Sequence, residues 1–156
     1  MTQLRLLLRR YRIAVMSVAL AGVFVYAGVD KLRDPLQFAD SIAAFAMLPT
    51  PLITPFALGL PIFEVLCGLL ILVPPSRRVS ALALSLANTM FLVALASALA
   101  RGITLDCGCF GTGTPSRPRM WLEAALDVAL LAASLSVYLR STSPIEHTPR
   151  AETSIS

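Results

Sequence analysis

Four stretches of this chain are apolar for long enough to cross a lipid bilayer, and nothing else in the sequence constrains its fold as strongly. They lie at about 13–30, 52–73, 79–100 and 120–139. The first and third carry no charge through their apolar cores, the second is interrupted only by Glu64, and the fourth holds Glu123 and Asp127. A span needs about 20 residues at ~1.5 Å of rise each. Within lipid every backbone N–H and C=O must pair inside its own segment or in a closed barrel, so apolar runs of this length are helices. Composition points the same way, because a chain of 156 residues that is 56% hydrophobic and 14% charged has too little interior to hide its apolar side chains from water. The sequence therefore predicts an all-α integral membrane protein, a four-helix bundle over residues 13–139. The first run has the basic flank of a signal peptide, but it is longer than an h-region of ~7–15 residues and has no small-residue cleavage site directly before Asp30, so a retained helix is expected.

The formal net charge of +4 invites a nucleic-acid reading, but the arginines stand at the ends of apolar runs, where they set topology. With the N-terminus inside, the cytoplasmic side holds Arg5, Arg9, Arg10, Arg12, Arg77, Arg78, Arg140 and Arg150. The outer side holds Lys31, Arg33, Arg101, Arg117 and Arg119. That bias places both termini in the cytoplasm and the loop 101–119 outside. The partner that follows from composition is the lipid bilayer, and nucleic acid is excluded.

Pro74-Pro75-Ser76-Arg77-Arg78 reads as a tight inner turn, with prolines stopping one helix and arginines anchoring the next. Asp34-Pro35 is a helix start, an N-cap followed by proline at the first helical position. Phe38, Ile42 and Phe45 then share one face, which predicts a short amphipathic helix lying on the outer membrane surface and ended by Pro49 and Pro51. Residues 141–156 are polar and proline-containing, the composition of a disordered cytoplasmic tail. Ala81–Ser85 and Ala94–Ala98 in the third span, and Ala125–Ala129–Ala133 in the fourth, recur four apart, a spacing that lets helices approach closely in lipid.

The outer loop contains Asp106-Cys107-Gly108-Cys109-Phe110-Gly111. A disulfide needs Cα atoms ~4.4–6.8 Å apart. Residues two apart meet that range only if the backbone between them folds tightly, which glycine permits. The ring so closed is strained and hence exchangeable, and an extracytoplasmic position lets it form. Cys107 and Cys109 are therefore the candidate catalytic pair, with Asp106, Gly108, Phe110 and Gly111 as the supporting loop. Arg101, Arg117 and Arg119 would lower the attacking thiol's pKa. The competing readings are a structural turn and a metal site. The single histidine, His147, lies in the tail on the opposite side, so four-ligand zinc would need carboxylates or a second subunit. Gly108, Gly111 and Gly113 mimic a phosphate loop but follow a transmembrane run rather than a strand.

Glu64, Asn88, Asp127, Glu123 and Lys31 form the intramembrane polar set. Glu64 and Asn88 fall at comparable depth, Glu123 and Asp127 lie one turn apart, and Lys31 closes the first span on the outer side. The expected pairings are Glu64 with Asn88, and Asp127 or Glu123 with Lys31 or Arg119. Two readings stand side by side: a proton path or quinone pocket coupled to the cysteines, and a packing network in which Glu64 is protonated and hydrogen-bonded. Cys67, about 15 residues into the second span, reads as a buried inert thiol.

With those residues placed, the chain resembles the MauE family, within the DoxX-like group of small four-helix membrane proteins. The resemblance runs through Gly28-Val29-Asp30-Lys31-Leu32, Asp34-Pro35, Phe38, Leu48-Pro49, Glu64 and the cysteine loop. It implies a multi-pass protein of the bacterial inner (plasma) membrane. Its implied work is a thiol–disulfide relay through Cys107 and Cys109 with an extracytoplasmic thioredoxin-like partner, serving maturation of a disulfide-rich protein such as methylamine dehydrogenase. No cofactor is certain, and a quinone and a homo-oligomer stay open. The rivals are a membrane scaffold or assembly factor whose cysteines only pin a loop, and a small transporter working through Glu64 and Asp127.

Overall fold

The computed structural model describes residues 2–104 and 116–141. Among them it has five helices and no strand: α1 (Thr2–Arg33), α2 (Pro35–Ala44), α3 (Thr50–Leu70), α4 (Arg77–Ala100) and α5 (Arg117–Arg140). Four are long and apolar enough to cross a membrane, over Arg10–Arg33, Thr50–Leu70, Arg77–Ala100 and Arg117–Arg140. The predicted all-α membrane bundle is what forms. Cys107, Cys109, their supporting loop and the expected disordered tail from 142 onward lie outside the described residues.

The ends of the helices follow from local chemistry. α1 begins well before the apolar run and carries its basic flank as helix. Asp34 caps α2 by accepting from the Gln37 backbone N–H at 3.0 Å, with proline in the first turn, as the sequence predicts. α3 stops at Leu70, three residues short of the apolar run. The turn after it is held by side chains that satisfy its orphan carbonyls: Ser76 Oγ donates to Leu70 O at 2.8 Å, and Arg77 donates from Nε to Ile71 O at 3.1 Å and from Nη2 to Leu72 O at 3.2 Å. The arginine expected to anchor the next helix thus also caps the previous one.

α1 packs along α3 and α4 along α5, and the two pairs close on each other. The α1–α3 seam is tight at two glycines. A Cβ on Gly28 would come within 2.7 Å of Val65 Cγ2 and 2.8 Å of the Pro61 carbonyl oxygen; one on Gly68 would meet Val25 Cγ2 at 3.2 Å. Between these points Phe24, Leu20, Cys67 and Ile71 join Ala81, Leu84 and Val137 in the inner half of the core. Cys67 is buried there with its thiol free, the environment of an inert sulfur. The small-residue spacing in α4 faces inward, with Ala81, Ser85 and Ala98 buried. In α5 it does not: Ala125 and Ala129 are exposed, and the buried stripe is Met120, Glu123, Asp127, Ser134 and Val137.

α2 has the apolar face the sequence predicts and turns it toward the bundle. Phe38 and Ile42 pack with Ala57 and Leu60 of α3, and Phe45, the C-cap, packs with Leu95 and Ala98 of α4 and Met120 of α5. Phe91 touches both groups. Asp34, Gln37 and Asp40 on the other side are exposed. Because α1 is long and apolar enough to cross over Arg10–Arg33, α2 follows a completed span. An amphipathic pattern states that one face is covered; it is silent on whether lipid or protein covers it.

Gly28→Ala is expected to force α1 and α3 apart at a backbone carbonyl and lower stability by about 1–3 kcal/mol. Gly22→Ala, whose Cβ would meet nothing within 4 Å, is expected to change little or to stabilise. Thermal unfolding in detergent measures both.

Candidate functional site

The break between α1 and α2 brings a lysine into the interior. Lys31 lies two residues before the end of α1, and its side chain turns inward to meet Glu64 of α3. Its Nζ donates to Glu64 Oε2 at 2.8 Å, and both side chains are only 3% exposed. The ammonium also stands 5.6 Å from the centroid of the Phe38 ring and 5.5 Å from that of Phe91. One carboxylate and two aromatic faces therefore replace its hydration. Four helices contribute to this single contact set: α1 the cation, α3 the anion, α2 and α4 the rings.

Asn88 lies 11 residues from the start of α4 and 12 from its end, and Asp127 sits near the middle of α5. With Lys31, Glu64, Phe24 and Phe91 they line a cavity of about 20 Å³. The sequence-predicted polar set Lys31, Glu64, Asn88 and Asp127 is thus brought to one place. Glu123 lies one turn earlier in α5, where its Oε1 accepts from Arg119 Nε at 3.1 Å.

The pairings differ from expectation in one respect. Glu123 pairs with Arg119 as one of the expected alternatives, but the partner of Glu64 is Lys31 and not Asn88. The Glu64 carboxylate thus has a cation beside it, which the protonated-carboxyl reading lacked. Asn88 Nδ2 and Asp127 Oδ2 are buried without a partner, as are Ser17 Oγ, Ser134 Oγ and Glu123 Oε2. Sequence reasoning missed the Phe38 and Phe91 rings around the ammonium. Phe38 carried a usable signal, standing seven residues from Lys31, about two turns, on the first apolar face after a capped proline start.

Two of the arginines expected near the cysteine loop have partners of their own. Arg101 Nη2 donates to the Phe45 carbonyl at 2.6 Å and its Nε to Ser97 O at 3.2 Å, while Arg119 holds Glu123. Arg117 is exposed. Beside α2, an apolar groove of about 370 Å³ runs between Phe38, Ile42 and Phe45 on one wall and Met90, Phe91 and Ala94 on the other.

Fold and site together define a multi-pass helical membrane protein whose centre is held by a buried ion pair near the outer end of its first span. Among the described residues, no cluster of three or more metal-ligating side chains accompanies it. The chain belongs to the MauE family: the sequence model of the family described as methylamine utilisation protein MauE matches residues 9–140. Methylamine utilization protein MauE of Methylophilus methylotrophus is 34% identical over 131 residues, covering 83% of this chain and 67% of the relative. Its namesake in Paracoccus denitrificans is 32% identical over 123 residues, covering 78% and 66%. That of Methylorubrum extorquens is 30% identical over 112 residues, covering 71% and 60%. The chain therefore spans about two thirds of the length of these relatives. No solved structure matches it.

Glu64→Gln leaves the Lys31 ammonium buried without its anion and is expected to cost about 3–5 kcal/mol. Glu123→Gln releases Arg119, which is 31% exposed and can rehydrate, so a loss of roughly 1 kcal/mol or less is expected. Chemical unfolding of both variants in the same detergent checks the ordering.

Proposed function

We propose that this chain is a membrane component of methylamine utilisation that exchanges redox equivalents through Cys107 and Cys109 with an extracytoplasmic thioredoxin-like protein. The observation that carries the reading is the conjunction of family and motif. Three relatives bear the name methylamine utilization protein, and the matched segment includes Cys107-Gly108-Cys109. The wider role is to assist maturation of a disulfide-rich protein such as methylamine dehydrogenase.

The topology we assign puts both termini in the cytoplasm of a bacterium and the cysteine loop outside the inner membrane. Two features support it. The basic residues favour the side bearing the N-terminus, Arg77, Arg78 and Arg140. At the other end of the bundle, Arg101 is tied to the Phe45 carbonyl, so the chain leaves α4 for the cysteine segment beside the α2–α3 connection.

The exchange conserves electrons without a further reagent. A thiolate of the Cys107/Cys109 pair attacks one sulfur of the partner's disulfide, a mixed disulfide forms, and the partner's leaving thiolate takes a proton. The second cysteine, as thiolate, then displaces the partner, so that one dithiol and one disulfide have traded places. The same steps run in reverse when the partner arrives as dithiol. The described part of the chain acts as a rigid frame for this loop, since α4 and α5 on either side of it are packed against each other.

Replacing one cysteine removes the resolving step and should trap the mixed disulfide. In membranes of a methylamine-grown host, Cys107→Ser or Cys109→Ser is expected to yield a reducible adduct with a soluble thioredoxin-fold protein. If neither variant captures a partner and the Cys107→Ser/Cys109→Ser double variant still supports growth on methylamine, the cysteines are not a relay and the scaffold reading stands instead.

A further inference from the structure

Among the described residues, the ion pairs at the centre leave one charge over. α1 contributes Lys31, α3 Glu64, and α5 Arg119, Glu123 and Asp127; from α4 the facing polar group is the neutral Asn88. Lys31 is matched by Glu64 and Arg119 by Glu123. Asp127 is 4% exposed, and its Oδ2 has no partner. Asn88, 3% exposed, likewise has an amide nitrogen that donates to nothing. Both groups line the cavity of about 20 Å³ that also reaches Lys31 and Glu64.

That volume is the size of one water molecule, which needs ~10–15 Å³ and two to four polar partners. The walls supply them: an amide donor on Asn88 and a carboxyl on Asp127, with the Lys31–Glu64 pair beside them. The remaining negative charge needs a counterpart, because an uncompensated carboxylate in the apolar middle of a bundle is among the costliest arrangements a membrane protein can hold. A metal cation in that role would face the Lys31 ammonium across the same small space. A proton does not, since it sits on the carboxyl itself.

We infer that the cavity is a proton-loading site, holding one internal water and one exchangeable proton on Asp127. In the loaded form Asp127 is a neutral acid that donates to the water, and the water also accepts from Asn88. Unloading passes the proton from Asp127 through the water to a buffer base in bulk solvent, leaving the carboxylate to accept from that water, with the Lys31–Glu64 pair lining the same cavity. The rest of the wall is apolar, formed by Val23, Phe24, Ala27, Phe91 and Leu130. The site is independent of the thiol exchange proposed above and survives its failure.

Infrared difference spectroscopy of the full chain in lipid nanodiscs reads the proton directly. The wild type is expected to show the C=O stretch of a protonated carboxylic acid at neutral pH, shifting in heavy water. That band should be lost in Asp127→Asn and kept in Glu123→Gln. Lys31→Met should add a second protonated carboxyl, because Glu64 loses its cation. Carbon-13 labelling of aspartate in the wild type makes the test independent of any variant's folding: the band must move. No carboxylic acid band in the folded wild type, or one that ignores the aspartate label, would overturn the inference.

Discussion

The contact between Lys31 and Glu64 organises this molecule. An ammonium group taken out of water must meet an anion, and in a bundle this apolar the place where they meet sets the register of the helices that carry them. The pair pins α1 against α3 one turn beyond Gly28, whose close contact with Pro61 and Val65 brings the backbones near enough for a 2.8 Å bond. It also draws in α2, because Phe38 puts its ring beside the ammonium, as Phe91 does from α4. Cation, anion and rings come from four different helices, so loss of the pair is felt throughout.

The break at Arg33 and Asp34 makes this possible. A continuous first helix would present Lys31 to its neighbours with apolar turns above and below. The interruption instead lets the chain restart on a capped proline turn, with Arg33, Asp34, Gln37 and Asp40 exposed on the outside of the break and Lys31 turned inward. The irregular backbone at the break borders a buried polar site. That site is the ion pair with its small cavity.

Much of this was legible in the sequence. Span length and the absence of charge identify four crossing helices whatever their packing, and Asp34-Pro35 names its own cap. The membership of the polar set was legible too, because Glu64, Asn88 and Asp127 are rare residues in apolar runs. Their pairing was not. Lys31 ends an apolar run, and a charge in that position reads as an interfacial anchor unless one knows that its side chain turns inward to Glu64. The alanine stripe of α5 misled for a related reason: small residues permit close approach without requiring it, and Ala125 and Ala129 face outward. The contact that does require small residues, Gly28 on Pro61 and Val65, joins positions distant in sequence and repeats no motif.

The dependence of the fold on this pair is tested most directly by a double-mutant cycle with Lys31→Met and Glu64→Gln, measured as unfolding free energy in one detergent. If the cost of each single change comes from stranding a buried partner, the double variant will lie closer to wild type than either single one, with a coupling of about 2 kcal/mol or more. Losses that simply add would show that the two side chains contribute independently, and the pair would no longer be the contact that sets the bundle.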